Sequence, residues 1–272
     1  MATIQTKNIY FARHGERTDW IDRTWIETAK RQYDSPLSSY GLQQAHELGI
    51  YITELKPRIT HIYASPFLRT IQTALQVAKE LNKNVLSNND LIKIRLEPGY
   101  GEFHGSDAMW NENNIFQPLD EHTEILQYIE YFDQDYQSIF KPDYYLQVKG
   151  ETRQQLRDRL KRVLQCTLDA HADDCNILII THAATLVEGV RALITITKEH
   201  NQGIEITTIQ EQNNTSTWDM SPIRAGVCSL THCEFIDKKW TLSKTGLASY
   251  LSKGEQRIWY FPEDKSLYET SE

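Results

Sequence analysis

The sequence predicts an α/β fold, a mainly parallel central sheet flanked by helices, and three observations carry that prediction. Short apolar runs such as Asn8–Ala12 and Asn176–Ile180 have the length and composition of buried parallel strands. The segments between them repeat their apolar residues at helical spacing. The two kinds of segment also alternate along the chain. With 272 residues, 40% hydrophobic and 24% charged, the chain suffices for a core without staples, and residues 1–272 read as one domain.

Each element follows in order. Asn8–Ala12 forms a first strand that leads into Arg13-His14-Gly15. Residues 41–56 place Leu42, Ala45, Leu48, Ile52 and Leu55 on a helix that Pro57 closes. Ile59–Tyr63 is a strand that Ser65-Pro66 ends, and Phe67–Leu81 is a helix through Leu68, Ile71, Leu75 and Ala78. Short strands are expected around Val85 and around Leu91–Leu96. Gly150-Glu151-Thr152 opens a helix over 151–168, and the strand Asn176–Ile180 runs into Thr181-His182 and a helix from about Ala184 to Leu193. After Cys233 comes a closing hairpin with its turn at Asp237-Lys238-Lys239 and its return through Trp240-Thr241-Leu242. Residues 236–272 are expected to be peripheral.

Residues 104–150 interrupt the alternation. They hold nine aromatics, and residues 120–136 carry six acids with no Lys or Arg. That is too aromatic for a disordered linker. The stretch reads as a mostly helical insertion packing on the sheet edge, with a substrate lid or a partner surface as the other uses.

Composition narrows the function. No apolar run approaches the roughly 20 residues of a membrane helix, and the start MATIQTKNIYFARHG lacks the apolar core of a signal peptide. The 4 cysteines, in so long a chain, read as reduced thiols. An intracellular protein is expected, in nucleus or cytoplasm. A net charge of −8 argues against broad nucleic-acid binding. The basic run Arg153, Arg157, Arg159, Lys161, Arg162 reads as a solvated helix face, with a nucleic-acid contact as the lesser alternative. Cys228, His232 and Cys233 resemble a metal cluster, but His232 and Cys233 would face opposite sides of a strand. With no second Cys pair to complete four ligands, no metal site is expected there. No nucleophile-elbow, P-loop or dinucleotide motif is present, and no cofactor is expected.

Chemistry concentrates at the strand ends. In an open α/β sheet the carboxyl edge is where ligands bind, and two histidines, His14 and His182, stand there. A third strand end, Tyr63-Ala64-Ser65-Pro66, leads into a helix with Arg69 in its first turn, and Arg17 follows His14 by three residues. A site of Arg13, Arg17, Arg69, His14 and His182 would hold three permanent positive charges and two titratable rings. Guanidinium forks match phosphate oxygens, and an imidazole can attack phosphorus.

These residues resemble the histidine phosphatase superfamily, with its phosphoglycerate-mutase-like fold. The resemblance rests on FARHGER (11–17), SPLSSYGLQQA (35–45), YASPFLRTIQTA (63–74), RLEPGYGEFHG (95–105), GET (150–152) and ILIITHAATL (177–186). RHGER with EPGYGEF is similar to the suppressor of T-cell receptor signalling phosphatases. The short link from RHGER to SPL, with IRAGVCSL (223–230), Trp240 and GEQRIWYF (254–261), is similar to the phosphatase-domain subunit of fungal transcription factor IIIC.

The resemblance implies a metal-independent phosphomonoesterase. His14 would become phosphohistidine, and Arg13, Arg17, Arg69 and His182 would hold the phosphate. For the acid it leaves two candidates: Glu97 matches the mutase-like members, and Glu102 matches the T-cell phosphatase branch. Branch similarity favours Glu102. The substrate implied is a phosphotyrosine-like ester. The alternatives are an assembly subunit of transcription factor IIIC, or a small-molecule phosphatase or mutase. Factor subunits or a second copy of the chain are the implied protein partners.

Overall fold

A computed structural model describes residues 7–103, 105, 123–141, 150–171, 175–201 and 222–269. Its centre is a six-stranded sheet in the order β3-β2-β4-β1-β5-β6. The strands are β1 (Lys7–Arg13), β2 (His61–Ala64), β3 (Ile94–Leu96), β4 (Asn176–Thr181), β5 (Leu230–Ile236) and β6 (Lys239–Leu247). β1, β2, β3 and β4 pair in parallel, and β5 and β6 add an antiparallel edge. The mainly parallel sheet expected from the sequence is therefore present.

Side-chain alternation along the strands fills two cores. Tyr10, Ala12, Ile62, Leu178 and Ile180 point to one face, which α1 (Ser39–Glu54) and α2 (Leu68–Asn82) cover. Ile9, Phe11, Tyr63, Ile177 and Ile179 point to the other, beneath α3 (Arg153–Ala170) and α4 (Ala183–Asn201). A one-residue slip of β4 would exchange the two sets, so burial on both faces fixes the register.

Local chemistry sets the helix ends. Ser38 caps α1 by accepting from Gly41 N, and Thr152 and Gln155 form a reciprocal capping box on α3. The buried stripe of α1 runs through Gly41, Gln44, Ala45, Leu48, Gly49 and Ile52. Leu42, expected in that stripe, is exposed, and Leu55 is only partly covered. The strand expected near Val85 does not form. Asn82, at the end of α2, pairs through its amide with both backbone groups of Ile92 (3.0 and 2.9 Å), so the intervening residues loop outward. The hairpin turn is confirmed at Asp237 and Lys238, both left-handed (φ 51° and 60°), as a two-residue turn between twisted strands requires.

Of the expected insertion, residues 123–141 contribute two helical turns, Thr123–Leu126 and Ile129–Tyr131. They bury Ile125, Phe132 and Phe140 against the two cores. Residues 106–122 and 142–149 lie outside the described residues. The chain after Ile236 does more than decorate the surface: it supplies β6 and then returns to the carboxyl edge of the sheet, where the Arg257 carbonyl meets Arg13 (2.7 Å).

Candidate active site

The parallel strands deliver their carboxyl ends to one edge. His14 follows β1, His182 follows β4, Ser65 follows β2 and Glu97 follows β3. His14 N donates to Thr181 O (3.0 Å), which ties the two histidine segments together. Their rings meet edge to face, with centroids 5.4 Å apart.

The turn after β1 fixes the state of His14. Nδ1 lies 2.8 Å from the Gly15 carbonyl. A carbonyl only accepts, so this partner assigns the hydrogen to Nδ1 and leaves the lone pair on Nε2. Burial, then the nearby Arg69, Arg13, His182 and Arg17, hold the imidazole well below its usual pKa. His14 is thus a neutral ring with a free nucleophilic nitrogen. Close packing holds the turn in place: a Cβ on Gly15 would come within 2.5 Å of the Gly41 carbonyl, and one on Gly41 would collide with the Glu16 carbonyl. Ser38 seals the contact by donating to Glu16 Oε1 (2.9 Å).

His182 is fully buried beside this ring. Its Nε2 pairs with Ser65 Oγ (2.7 Å), and its Nδ1 lies 3.2 Å from Glu102 Oε2 without completing an aligned hydrogen bond. Burial lowers its pKa to about 4 despite the neighbouring Glu102. The same Glu102 oxygen accepts from Arg69 Nη2 (3.1 Å). Burial alone would raise the Glu102 pKa, but the pull of His182, Arg69 and His14 overrides it and holds the carboxyl well below its usual range. Arg69 is also anchored to the Tyr33 carbonyl (3.2 Å), and Asp34 lies 3.9 Å away.

Arg13 completes the floor. Its Nη1 donates to the carbonyls of Ala225 (2.9 Å) and Arg257 (2.7 Å). Burial brings both Arg13 and Arg69 down to about 10, so each stays charged at neutral pH. The Nε atoms of both arginines and Nδ1 of His182 are buried donors with no hydrogen-bond partner. Unpaired buried donors cost free energy unless an acceptor arrives, and phosphate oxygens are acceptors for guanidinium N–H groups. Arg17 stands further out, in a two-pronged pair with Asp19 (2.9 and 2.5 Å). The Trp20 ring lies at the centre of this rim, with the guanidinium carbons of Arg13, Arg17 and Arg257 at 5.4, 5.1 and 4.7 Å.

A profile of the histidine phosphatase superfamily (branch 1) matches residues 9–216. The chain belongs to that superfamily. It is 28% identical to the transcription factor tau 55 kDa subunit of Saccharomyces cerevisiae, over 93% of this chain and 58% of the relative. It is also 28% identical to the ecdysteroid-phosphate phosphatase of Drosophila melanogaster, over 67% of this chain and 26% of the relative. The chain therefore spans between about a quarter and three fifths of these relatives' lengths. Among solved structures, the tungstate complex of the Bombyx mori ecdysone phosphate phosphatase superposes with a TM-score of 0.61 at 20% identity, covering 92% of this chain and 97% of the other. Phosphoglycerate mutase from Bacillus anthracis gives 0.54 at 17% identity, over 92% and 97%. Both likenesses establish the phosphoglycerate-mutase-like fold.

Within this superfamily member the two glutamates separate cleanly. Glu97 is fully buried. Its carboxyl accepts from Gly99 N (2.8 Å), Tyr136 Oη (2.7 Å), Ile139 N (2.7 Å) and Phe140 N (3.1 Å). It shapes the turn at Pro98-Gly99 and pins residues 136–140. Glu102 is the carboxylate that reaches the two histidines.

Sequence reasoning missed several contributors. Ser65 was visible as a strand-end residue, without its link to His182. Trp20 and the backbone of Ala225 and Arg257 carried no local signal. The basic run of α3 is a correction: Arg159 is fully buried against Glu151, and Arg153 and Arg157 both bond the buried Glu188 (2.8 Å each). Helical spacing defines a face but not what packs on it, and here carboxylates do. Cys228 and Cys233, set aside as metal ligands on sequence grounds, enter different cores, while His232 stacks on Tyr10 and meets Asn8 Oδ1 (2.8 Å). Among the described residues, the grouping that could hold a cation is His14, Glu102 and His182, with donor atoms all within 4.8 Å. No helix among them is long and apolar enough to cross a membrane.

Proposed function

We propose that this chain is a phosphomonoesterase that works without a metal through a phosphohistidine at His14. The observation that supports this most is the His14 Nδ1 contact with the Gly15 carbonyl, which turns a neutral Nε2 toward a pocket of cationic and N–H donors. A phosphate monoester would lie with its oxygens on Arg13, Arg69, Arg17 and His182. Nε2 forms a bond to phosphorus as the ester P–O bond breaks. The arginines neutralise the equatorial oxygens as charge spreads over them. Glu102, beside His182 and ionised in the free protein, takes up the proton that a phosphate monoanion brings and passes it to the departing oxygen. It then takes a proton from the water that attacks the phosphoenzyme, which frees inorganic phosphate and restores His14.

Aryl phosphates of the phosphotyrosine kind fit the surroundings best. Trp20 lies 5.8 Å from the His14 ring, and Phe67 lies 5.1 Å from the His182 ring. Two aromatic walls beside a phosphate pocket favour an aromatic leaving group. Hydrolysis of p-nitrophenyl phosphate in the presence of EDTA, followed by a phosphopeptide panel, tests this reading. Turnover of phosphotyrosine peptides above phosphoserine peptides is expected, and no turnover of any ester overturns it.

A second reading rests on the likeness to the tau 55 kDa subunit across 93% of this chain. In it the chain is an assembly subunit of transcription factor IIIC, placed in the nucleus, with its phosphatase site retained. Affinity purification tests it: recovery of the other factor subunits is expected, and their absence alongside full phosphatase activity leaves the free-standing enzyme.

A further inference from the structure

We propose that the buried pair Arg159–Glu151 positions the general acid, by clamping the backbone that presents Glu102. The proposal deepens the reading above and rests on Glu102 being the acid of that reaction.

Both side chains are fully buried, and their contact is two-pronged, Nε to Oε1 at 2.8 Å and Nη2 to Oε2 at 2.7 Å. The guanidinium also reaches the backbone of 99–102. Nη1 donates to the carbonyls of Gly99 (2.8 Å) and Gly101 (3.2 Å), and Nη2 to that of Glu102 (3.2 Å). Thr181 Oγ1 donates to the carbonyl between them, on Tyr100 (2.5 Å), and Thr185 Oγ1 adds a bond to Gly101 O (2.8 Å). All four carbonyls of 99–102 are therefore held by side chains of α3, β4 and α4.

A buried ion pair is a weak source of stability, because desolvation offsets the attraction. What a guanidinium supplies is direction: it is planar, always charged and offers its donors in a fixed fork. Glu151 takes one edge of that fork, and Nη1 and Nη2 also reach the carbonyls of Gly99, Gly101 and Glu102. The clamp acts on the backbone of Glu102, and the pocket contacts act on its carboxyl. The carboxyl bonds Arg69 and lies 3.2 Å from His182, both of which a bound phosphate would also engage, whereas Arg159 bonds the main chain at the Glu102 carbonyl (3.2 Å). The loop thus keeps its place while the carboxyl exchanges partners during the reaction. A displacement of about 1 Å at a catalytic group can cost on the order of 100-fold in rate.

The test is a double-mutant cycle on the full chain, reading kcat/KM for glycerol 2-phosphate, whose alcohol leaves poorly, and for p-nitrophenyl phosphate, whose anion leaves readily. Arg159→Met is expected to slow the glycerol ester about 100-fold and the p-nitrophenyl ester far less. In a Glu102→Gln background, Arg159→Met should change neither ester by more than about twofold, because the group it positions is gone. Equal loss on both esters, or the same loss in both backgrounds, overturns the clamp and leaves Glu102 as the acid. A Glu102→Gln variant that hydrolyses the glycerol ester at the parental rate overturns the acid assignment and the clamp with it. Should Arg159→Met not fold, Glu151→Gln keeps the size and an acceptor for Arg159 Nε and carries the same cycle, with the same outcomes deciding.

Discussion

Glu102 Oε2 lies 3.1 Å from Arg69 Nη2 and 3.2 Å from His182 Nδ1, and this shared oxygen sets the proton economy of the pocket. With its pKa held well below the usual range, Glu102 is ionised in the free protein at any pH near neutrality. The proton for the leaving group must then arrive with the substrate. A phosphate monoester has its second pKa near about 6, so the monoanion brings one. For an alkyl ester we expect kcat/KM to fall as pH rises above about 6. His14, also depressed, should keep the rate from falling until well below pH 6.5. A profile flat to pH 8, or one that loses activity on passing down through 6.5, contradicts this arrangement.

The two glutamates should fail differently. Glu102→Gln is expected to slow alkyl-phosphate hydrolysis by about 100-fold or more, and p-nitrophenyl phosphate hydrolysis much less. Glu97→Gln presents amide hydrogens to a site built from three N–H groups and a hydroxyl. It should cost roughly 1–3 kcal/mol of stability for each donor left unsatisfied, with a rate loss independent of the leaving group. Denaturant midpoints and paired kinetics check both, and leaving-group dependence at Glu97 would move the acid there.

His182 links pH to stability. Its pKa in the folded protein is about 4, against 6.5 when free. Because the folded value is depressed, the unfolded chain binds a proton that the folded one refuses. Stability is whole above pH 6.5 and declines as pH falls towards 4, by about 3 kcal/mol from this residue. Thermal melts of the parent and His182→Gln should converge towards acid. Parallel curves through that window would contradict the shift.

Chelators should leave turnover unchanged, because the arginines already supply the positive charge. Zinc should inhibit, since His14, Glu102 and His182 offer donor atoms within 4.8 Å of one another and a cation there would occupy the nucleophile. Loss of activity in EDTA that zinc or magnesium restores would contradict a metal-independent mechanism.

Much of this site was legible because α/β architecture converts strand ends into a single edge. Arg13-His14 and Thr181-His182 each follow an apolar run, and parallel pairing of β1 with β4 brings them together. Arg69 was legible from its place in the first turn after a strand. What could not be read came from distant chain. Glu97 and Glu102 look alike on one turn, and what separates them is Tyr136, Ile139 and Phe140, some forty residues on. Arg257 reaches Trp20 and Arg13 from the far end of the sequence. Arg159 was misread as solvated because its periodicity matches its surface neighbours, and nothing in the motif around Glu151 pointed to a buried pairing between them.

The central claim is that His14 carries the phosphoryl group. Rapid quenching of the wild-type protein turning over a 32P-labelled ester should trap phosphate that is acid-labile and base-stable. Peptide mapping should place it on His14, and His14→Ala should fold, bind vanadate and trap none. Phosphate found on a serine, aspartate or cysteine, or inversion of configuration at a chiral phosphorus, would contradict the account.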